Sequence, residues 1–484
     1  MDIPAIATKT PSTPGSPSSI LYPSPGSRPT TPRSESVIRY ETGDDYYQPP
    51  PFWFPRIQAL CKTLWPNARH NIAFLAVGTY NKVFGLSVLH EDGAACGEYV
   101  LKLPELEDTV TNTVGVLRYL ERRTSPAEGE SRALRLPEVV GWDGTKDNDL
   151  GYPYIMTKRI PGMNLGKEWE ALAQSQRMAV ATQIARLYMD FESISSAVTG
   201  IINVPPTHNT AEKSISPKPD ELLEISAFGT TFAGDQARHT DFEDEENGLL
   251  PLDRLYADPP GLPVGEMMLA PLKRRISQAL HQETPDLNIV EYHYKPLLYI
   301  LGQLNEGDIF ASVDDGNDED TRFCLWNLDL TPSNIMIDYA TNHEPYITGI
   351  LDWEAAIFGP RFMTAEPPRW LWTNEVATKS WPEYDPEPLH KRLMDADSRD
   401  DDAIKGVFEQ AMGPEWLSNA YDPEFVFARQ ILKLSMLSVW GQAEVDESED
   451  IQLAWDGFCD ERQTEAEQET LEETLADLNI SREP

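Results

Sequence analysis

The sequence predicts an α+β fold in two lobes, a small strand-rich one followed by a larger, mostly helical one. Three observations lead there. Before residue 160, short runs of alternating apolar and polar residues recur between turn signals. From Trp169 onward the apolar period is mostly that of a helix. Inside that helical half two short apolar runs stand apart, with Asp329, Asn334 and Asp352 at their edges.

Residues 1–51 are low-complexity, with a proline every few positions. Such a composition cannot offset the entropy of ordering, so this tail is expected to lack fixed structure. Order is expected from Phe52-Trp53-Phe54, and Arg56 to Leu64 reads as a short helix with Ile57, Leu60 and Leu64 on one face. Asn71 to Val77 and Lys82 to Leu89 read as strands flanking the turn Gly78-Thr79-Tyr80-Asn81. With one glycine, that turn is either a place where main-chain N–H groups face phosphates or an ordinary hairpin. Glu98 to Pro104 is the next strand, with Val100 and Lys102 on one face and Tyr99, Leu101 and Leu103 on the other. A lysine centred in an apolar strand is costly to bury unless paired. Lys102 is therefore either a paired functional group or an edge-strand lysine in solvent. Asp108 caps a helix to about Arg123, with Val110, Val114, Leu117 and Leu120 inward. Leu136 to Gly141 and Tyr154 to Gly162 supply the last strands of a first lobe spanning residues 52–158.

The second lobe, residues 159–440, opens with an amphipathic helix from Trp169 to Ile194 carrying Leu172, Met178, Ile184, Leu187 and Phe191. Residues 203–262, rich in Pro, Gly, Asp and Glu, read as an insertion, either a substrate lid or a solvated loop. Helices are expected over Glu266 to Gln282, Ile289 to Gly302, Glu387 to Gln410 and Pro423 to Trp440. Residues 441–484 read as an acidic tail of terminal helices with Leu453, Trp455, Phe458, Leu471, Leu475 and Leu478 as apolar contacts. Pro367 to Trp372 could wall a cationic ligand with tryptophan, although tryptophans near helix starts mostly serve packing.

The chemistry is concentrated in Phe323 to Asp338 and Ile347 to Glu354. Asp329 precedes the first apolar run, Asn334 follows five residues later, and Asp352 ends the second run. Two oxygen ligands and one base converging at a hairpin suit a phosphate carried by a hard cation, because Mg²⁺ takes one or two protein carboxylates plus substrate oxygens. Asp-x-x-x-x-Asn followed by a second strand ending in Asp is the spacing that phosphoryl transfer in a kinase demands. The spacing alone is weak; with both apolar strands and the turn between them it is strong. An ordinary surface hairpin with capping carboxylates is the competing explanation.

At these residues the chain resembles the aminoglycoside phosphotransferase family, a branch of the protein-kinase-like fold with many fungal members. That family reads His-x-Asp-x-x-x-x-Asn, an apolar strand, then Ile-Ile-Asp-Trp-Glu. Here Asp329, Asn334 and Asp352-Trp353-Glu354 match, and Asn327 stands where the family has His. Gly78 to Phe84 also matches the Gly-x-Tyr-Asn-Lys-Val-Phe of fungal members. The resemblance covers about residues 70–360 and is specific in the catalytic hairpin. It implies an ATP-dependent kinase acting on a hydroxyl of a small molecule, with Asp329 as base and Asn334 and Asp352 as Mg²⁺ ligands. Lys102 and the main chain around Gly78 and Thr79 would hold the nucleotide phosphates, and main-chain groups from Met156 to Lys158 would read adenine. A glutamate on the following helix normally orients the strand lysine. The aligned residue is Thr113, so Lys102 is expected to be held by Glu105 or Glu107, or to be poorly oriented. The alternative is a degenerate pseudo-kinase serving as a nucleotide-binding or scaffolding module, which Asn327 and Thr113 favour. A protein kinase fits less well, because no Ala-Pro-Glu segment follows Asp352 and Trp-Glu replaces Phe-Gly after it.

Composition bounds the rest. Forty basic against 79 acidic residues give a formal charge of −39, which argues against nucleic acid and anionic membranes as partners. It also requires a nucleotide site to create its own positive field. No apolar run is long enough to span a bilayer, and no charged-then-apolar leader opens the chain, so a cytoplasmic monomer is expected, with mitochondrial import the other option. Cys61, Cys96, Cys324 and Cys459 lie far apart without metal spacing and are expected as reduced thiols. The identity of the acceptor alcohol is not written in any motif.

Overall fold

The computed structural model describes residues 48–480 except 79–80, 91–92, 94, 105–107, 124–135, 205–223, 227–261, 281–285, 311–322, 374–400 and 437–441. Most of the expected N-terminal tail and of the 203–262 insertion falls outside these residues, as does most of the helix expected over 387–410.

The N-terminal half is a five-stranded antiparallel sheet: β1 (Ala68–Val77), β2 (Asn81–His90), β3 (Ala95–Pro104), β4 (Val139–Asp143) and β5 (Tyr154–Lys158), in the order β1-β2-β3-β5-β4. Strands β1, β2 and β3 run one to three residues further than the alternation suggests, because pairing with a neighbour extends them past their apolar cores, whereas β4 starts only at Val139 and β5 ends at Lys158 rather than Gly162. One face is covered by α1 (Pro50–Leu64), whose Trp53, Ile57 and Leu60 share a stripe and are buried with Phe84, Leu86, Leu101, Leu103 and Met156. The helix begins six residues before the Arg56 expected for it. Pro50 and Pro51 fit the first turn, where the missing N–H costs nothing, and burial of Trp53 outweighs the bond lost at Pro55.

The expected helix over 108–123 is present as α2 (Asp108–Arg123), and its inward Val110, Val114, Leu117 and Leu120 are buried as the period requires. They join the large core of the C-terminal half rather than that of α1. Asn112 Nδ2 donates to the carbonyl of Ile202 at 3.0 Å, and the Val204 amide donates to the carbonyl of Thr111 at 3.3 Å. Helix α2 is thereby tied to the segment that follows the long helix α3 (Gln174–Ser193).

Two small antiparallel sheets carry the central part of the second half. β6 (Met163–Asn164) pairs with β9 (Ile335–Tyr339), which pairs with β10 (Pro345–Ile350). β7 (Ser195–Ser196) pairs with β8 (Phe323–Asn327), which pairs with β11 (Ala356–Pro360). Around them lie α4 (Val264–Leu280), α5 (Lys295–Glu306), α6 (Asp402–Met412), α7 (Pro414–Tyr421), α8 (Pro423–Met436) and α9 (Gln442–Ile480). Helix α7 was not expected. A Gly413–Pro414 pair reads as a break, yet Gly413 at φ +84° turns the chain and Pro414 starts a new helix. The acidic C-terminal segment is one helix of 39 residues, not several, and its Leu453 is 70% exposed while Ile451, Ala454 and Trp455 are buried. Trp372 and Leu371 are buried, and Trp370 meets Trp169 edge-on at 5.7 Å, so this tryptophan segment serves packing. Among the described residues no helix is long and apolar enough to cross a membrane. Cys61, Cys324 and Cys459 are free thiols, and burial pushes Cys61 up to about 12.

Candidate active site

Strand β8 ends at Asn327, and the chain turns through Leu328 to Asn334 before re-entering β9. That turn is built by its own main chain. The Thr331 amide donates to the Asp329 carbonyl at 2.9 Å, and the Asn334 amide to the Thr331 carbonyl at 3.0 Å. Pro332 opens the short helical turn that delivers Asn334. The Asn334 side chain then reaches back, its Nδ2 donating to Asp329 Oδ2 at 2.8 Å and to the Asp329 carbonyl at 2.9 Å. A five-residue spacing thus closes into a direct contact.

After β10 the chain is anchored to the same turn, because the Leu351 amide donates to the Asn334 carbonyl at 2.7 Å. Asp352 follows with φ +51°, a left-handed conformation that is uncommon outside glycine and costs about 1–3 kcal/mol. Buried Trp353 fixes this corner through Nε1, which donates to the Ile350 carbonyl at 2.9 Å. Asn327 joins the two halves. Its Oδ1 accepts from the Asp329 amide at 3.1 Å, and its Nδ2 donates to the Asp352 carbonyl at 3.2 Å. The residue that departs from the family pattern is 2% exposed and ties the Asp329 turn to the Asp352 corner.

Lys102 enters from the N-terminal sheet. Its Nζ donates to Asp352 Oδ1 and, at 2.8 Å, to Glu354 Oε2. Its partners among the described residues are carboxylates 250 and 252 positions away, and Glu105 and Glu107 fall outside those residues. Lys102 is 16% exposed, which settles it as a paired lysine rather than an edge lysine in solvent. Burial pulls its pKa down, but Glu354 and then Asp352 outweigh that, and the net effect raises it. Glu354 also accepts from Asn81 Nδ2 at 3.1 Å, and the Asn81 carbonyl accepts from the Gly78 amide at 2.7 Å. The glycine turn between β1 and β2 is therefore connected to the Asp352 corner through one carboxylate.

The neighbours of Lys102 within the sheet are apolar. Val83 pairs with Lys102 across β2 and β3, and Gly85 pairs with Val100. A Cβ on Gly85 would stand 3.2 Å from Leu75, so the glycine lets the Leu75 side chain lie across the strand.

Of the residues singled out in the sequence, Gly78, Lys102, Asp329, Asn334 and Asp352 fall into one connected network. Met156 and Lys158 do not. Met156 is fully buried in the α1 core, and β5 is paired on both sides at that residue, with Leu101 and Gly141. The Lys158 amide donates to the Glu138 carbonyl at 2.8 Å, and its ammonium pairs with Glu138 Oε2 at 2.7 Å on the surface. At Met156 both edges of the strand are paired, so its main chain is not available to read a base, and at Lys158 the amide is taken by Glu138. Thr79 lies outside the described residues. Glu354 and Asn81 are the residues sequence reasoning missed. The Asp-Trp-Glu string was visible, but a partner more than 250 positions away was not.

The donor set fits a hard divalent cation. Asn334 and Asp352 can offer oxygen to such an ion, both oxygens of Glu354 are taken by Asn81 and Lys102, and the amide oxygen of buried Asn81 has no partner. Among the charges acting on Asp329, Asp352 and Glu354 are negative and Lys102 alone is positive, which leaves an excess of negative charge at the site. The pKa of Asp329 is itself raised, first by lost hydration and next, after the opposing bond from Asn334, by those two carboxylates. Its side chain is exposed at the mouth of the site while its carboxylate is partly enclosed by the turn.

A model of the phosphotransferase enzyme family (APH) matches residues 85–363, more than half of the chain. Among curated proteins none matches. Solved structures with detectable likeness include the GDP and kanamycin complex of APH(2″)-IIIa, at 12% identity and TM-score 0.40, covering 85% of this chain and 98% of that one. The streptomycin and ATP ternary complex of APH(2″)-IIa matches at 13% identity and TM-score 0.41, covering 82% and 97%. Choline kinase from Cryptosporidium parvum Iowa II matches at 12% identity and TM-score 0.36, covering 86% and 97%.

Proposed function

The chain belongs to the phosphotransferase enzyme family, and from that premise we propose that it moves the γ-phosphoryl group of ATP to a hydroxyl of a small molecule. The observation that carries the reading is the joining of Asp329, Asn334, Asp352 and Lys102 by hydrogen bonds and an ion pair across two halves of the fold. In this reading Asp329 orients the acceptor hydroxyl and takes its proton late in the transfer. Asn334 holds Asp329 in place through its amide nitrogen and turns its amide oxygen, with the Asp352 carboxylate, to Mg²⁺. That ion, when bound, neutralises charge on the phosphate oxygens. Lys102 adds the positive charge that a protein of net −39 must concentrate locally to accept a nucleotide. Asn327 keeps the Asp329 turn and the Asp352 corner in register, so the absent histidine leaves no gap in the support.

Most of the acceleration in such a site comes from positioning and charge neutralisation. Asp329→Asn keeps the shape and removes the base, so turnover is expected to fall by about 10²–10⁴ while nucleotide affinity holds. Transfer from labelled ATP into an unbiased pool of small-molecule alcohols measures it and names the acceptor. Wild-type protein that binds Mg-ATP and transfers to nothing would favour the pseudo-kinase reading.

A further inference from the structure

Lys102 lacks the helix glutamate expected to orient it. Thr113, at the aligned position of α2, is buried, carries no charge and has an Oγ1 without a partner. Helix α2 is committed elsewhere through Asn112 and Thr111. The lysine is nevertheless held, by a carboxylate from the other half of the chain. We infer that Glu354 is the positioning residue for Lys102 and the tether of the Gly78–Asn81 turn, doing from the C-terminal half what a helix glutamate would do from α2. This rests on the phosphotransferase reading of the site.

Both carboxylate oxygens of Glu354 are engaged, Oε2 by Lys102 at 2.8 Å and Oε1 by Asn81 at 3.1 Å. The acceptor is rigidly mounted. Trp353 before it is buried, the Leu328 amide donates to the Ala355 carbonyl at 3.1 Å, and the Ala356 amide donates to the Trp353 carbonyl at 3.1 Å. A charge-assisted bond at this distance is strong, and a fixed carboxylate imposes direction on a flexible four-carbon stem. Asp352 also pairs with Lys102, but its carboxylate is 37% exposed against 22% for Glu354. Were Asp352 to hold the cation, Glu354 would still hold the Lys102 ammonium. Because Asn81 both closes the glycine turn and receives the tether, Glu354 sets the turn and the lysine together.

The test is nucleotide affinity of the full chain, by calorimetry, with Mg²⁺ and separately with a chelator. Glu354→Gln should weaken binding about tenfold in both conditions, because the lysine meets phosphate with or without metal. Lys102→Ala should do the same, and the double variant should be no worse than Lys102→Ala alone. Glu354→Asp should fall between Gln and wild type. A loss confined to the Mg²⁺ arm would make Glu354 a metal ligand and overturn the inference, as would losses that multiply in the double variant. A second measurement needs no nucleotide. Hydrogen exchange of the Gly78 amide, which is bonded to the Asn81 carbonyl, should speed up several-fold in Glu354→Gln as the turn loses its tether, and an unchanged rate overturns the inference. Wild-type protein that binds no nucleotide while this change in exchange is seen would retire the phosphotransferase reading and leave the positioning role standing.

Discussion

Asp329 carries opposing influences on one carboxylate. Partial loss of hydration raises its pKa, the amide of Asn334 lowers it, Asp352 and Glu354 raise it again, and Lys102 lowers it, with a net rise. A base must be ionised to accept a proton, so activity should fall as pH drops through this raised value. The acid limb of kcat/KM is therefore expected above the ordinary aspartate value of about 4, and it should disappear in Asp329→Asn. A limb at or below 4 would mean that the base sees bulk water, and the enclosed geometry around it would be wrong. Asp329 and Asn334 were legible because their contact spans five residues and one local spacing encodes it. Asp352 was legible from its place at a strand end. The pairing of Lys102 with Glu354 was not, since 252 positions separate them and only the assembled fold brings them together. Asn327 read as a defect in a motif, and its two bonds became visible only with both turns in place.

At the scale of elements, alternation found every long strand of the N-terminal sheet, because a period of two records a difference in exposure between two faces, even in β1, where no residue is fully buried. At residues 156–158, where the resemblance implied an adenine contact, β4 pairs with Met156 and Thr157, and the Glu138 carbonyl takes the Lys158 amide. The elements beneath the site meet where β5 leaves the sheet. Gly162 has φ +107°, and a Cβ built there would lie 2.2 Å from the Ile337 carbonyl oxygen of β9. Thr348 Oγ1 of β10 donates to the neighbouring Pro161 carbonyl at 2.6 Å, so the backbone has little room to retreat. Gly162→Ala combines a disfavoured backbone region with a clash against main chain, and should cost about 2–4 kcal/mol of stability. Denaturant unfolding measures it. A change under about 0.5 kcal/mol, the range of an ordinary surface substitution, would show that the crossing is looser than the contact implies.

Among the described residues the acidic side chains are exposed or half-buried, and most cost little, but the long helix α9 brings some of them inward. Glu447 is pushed up to about 6, first by burial, against the opposing charge of Lys433, and further by Glu444, Glu366 and Asp450. The folded protein thus holds a proton that the unfolded chain gives up near its ordinary value. The unfolded chain binds fewer protons across that window, so stability falls as pH rises from about 4.5 to about 6. Above the window the penalty is complete, about 2 kcal/mol if the shift from 4.5 to about 6 is taken in full. Glu447→Gln, which copies the protonated form, should raise the thermal midpoint at pH 8 and lose that gain near pH 4.5. Self-repulsion of a strongly acidic protein would give some gain for any lost carboxylate, so Glu449→Gln, exposed on the same helix, separates the two causes. A buried origin requires the Glu447 variant to gain clearly more than the Glu449 one. Equal gains would place the cost in the net charge of the chain rather than in the packing of α9.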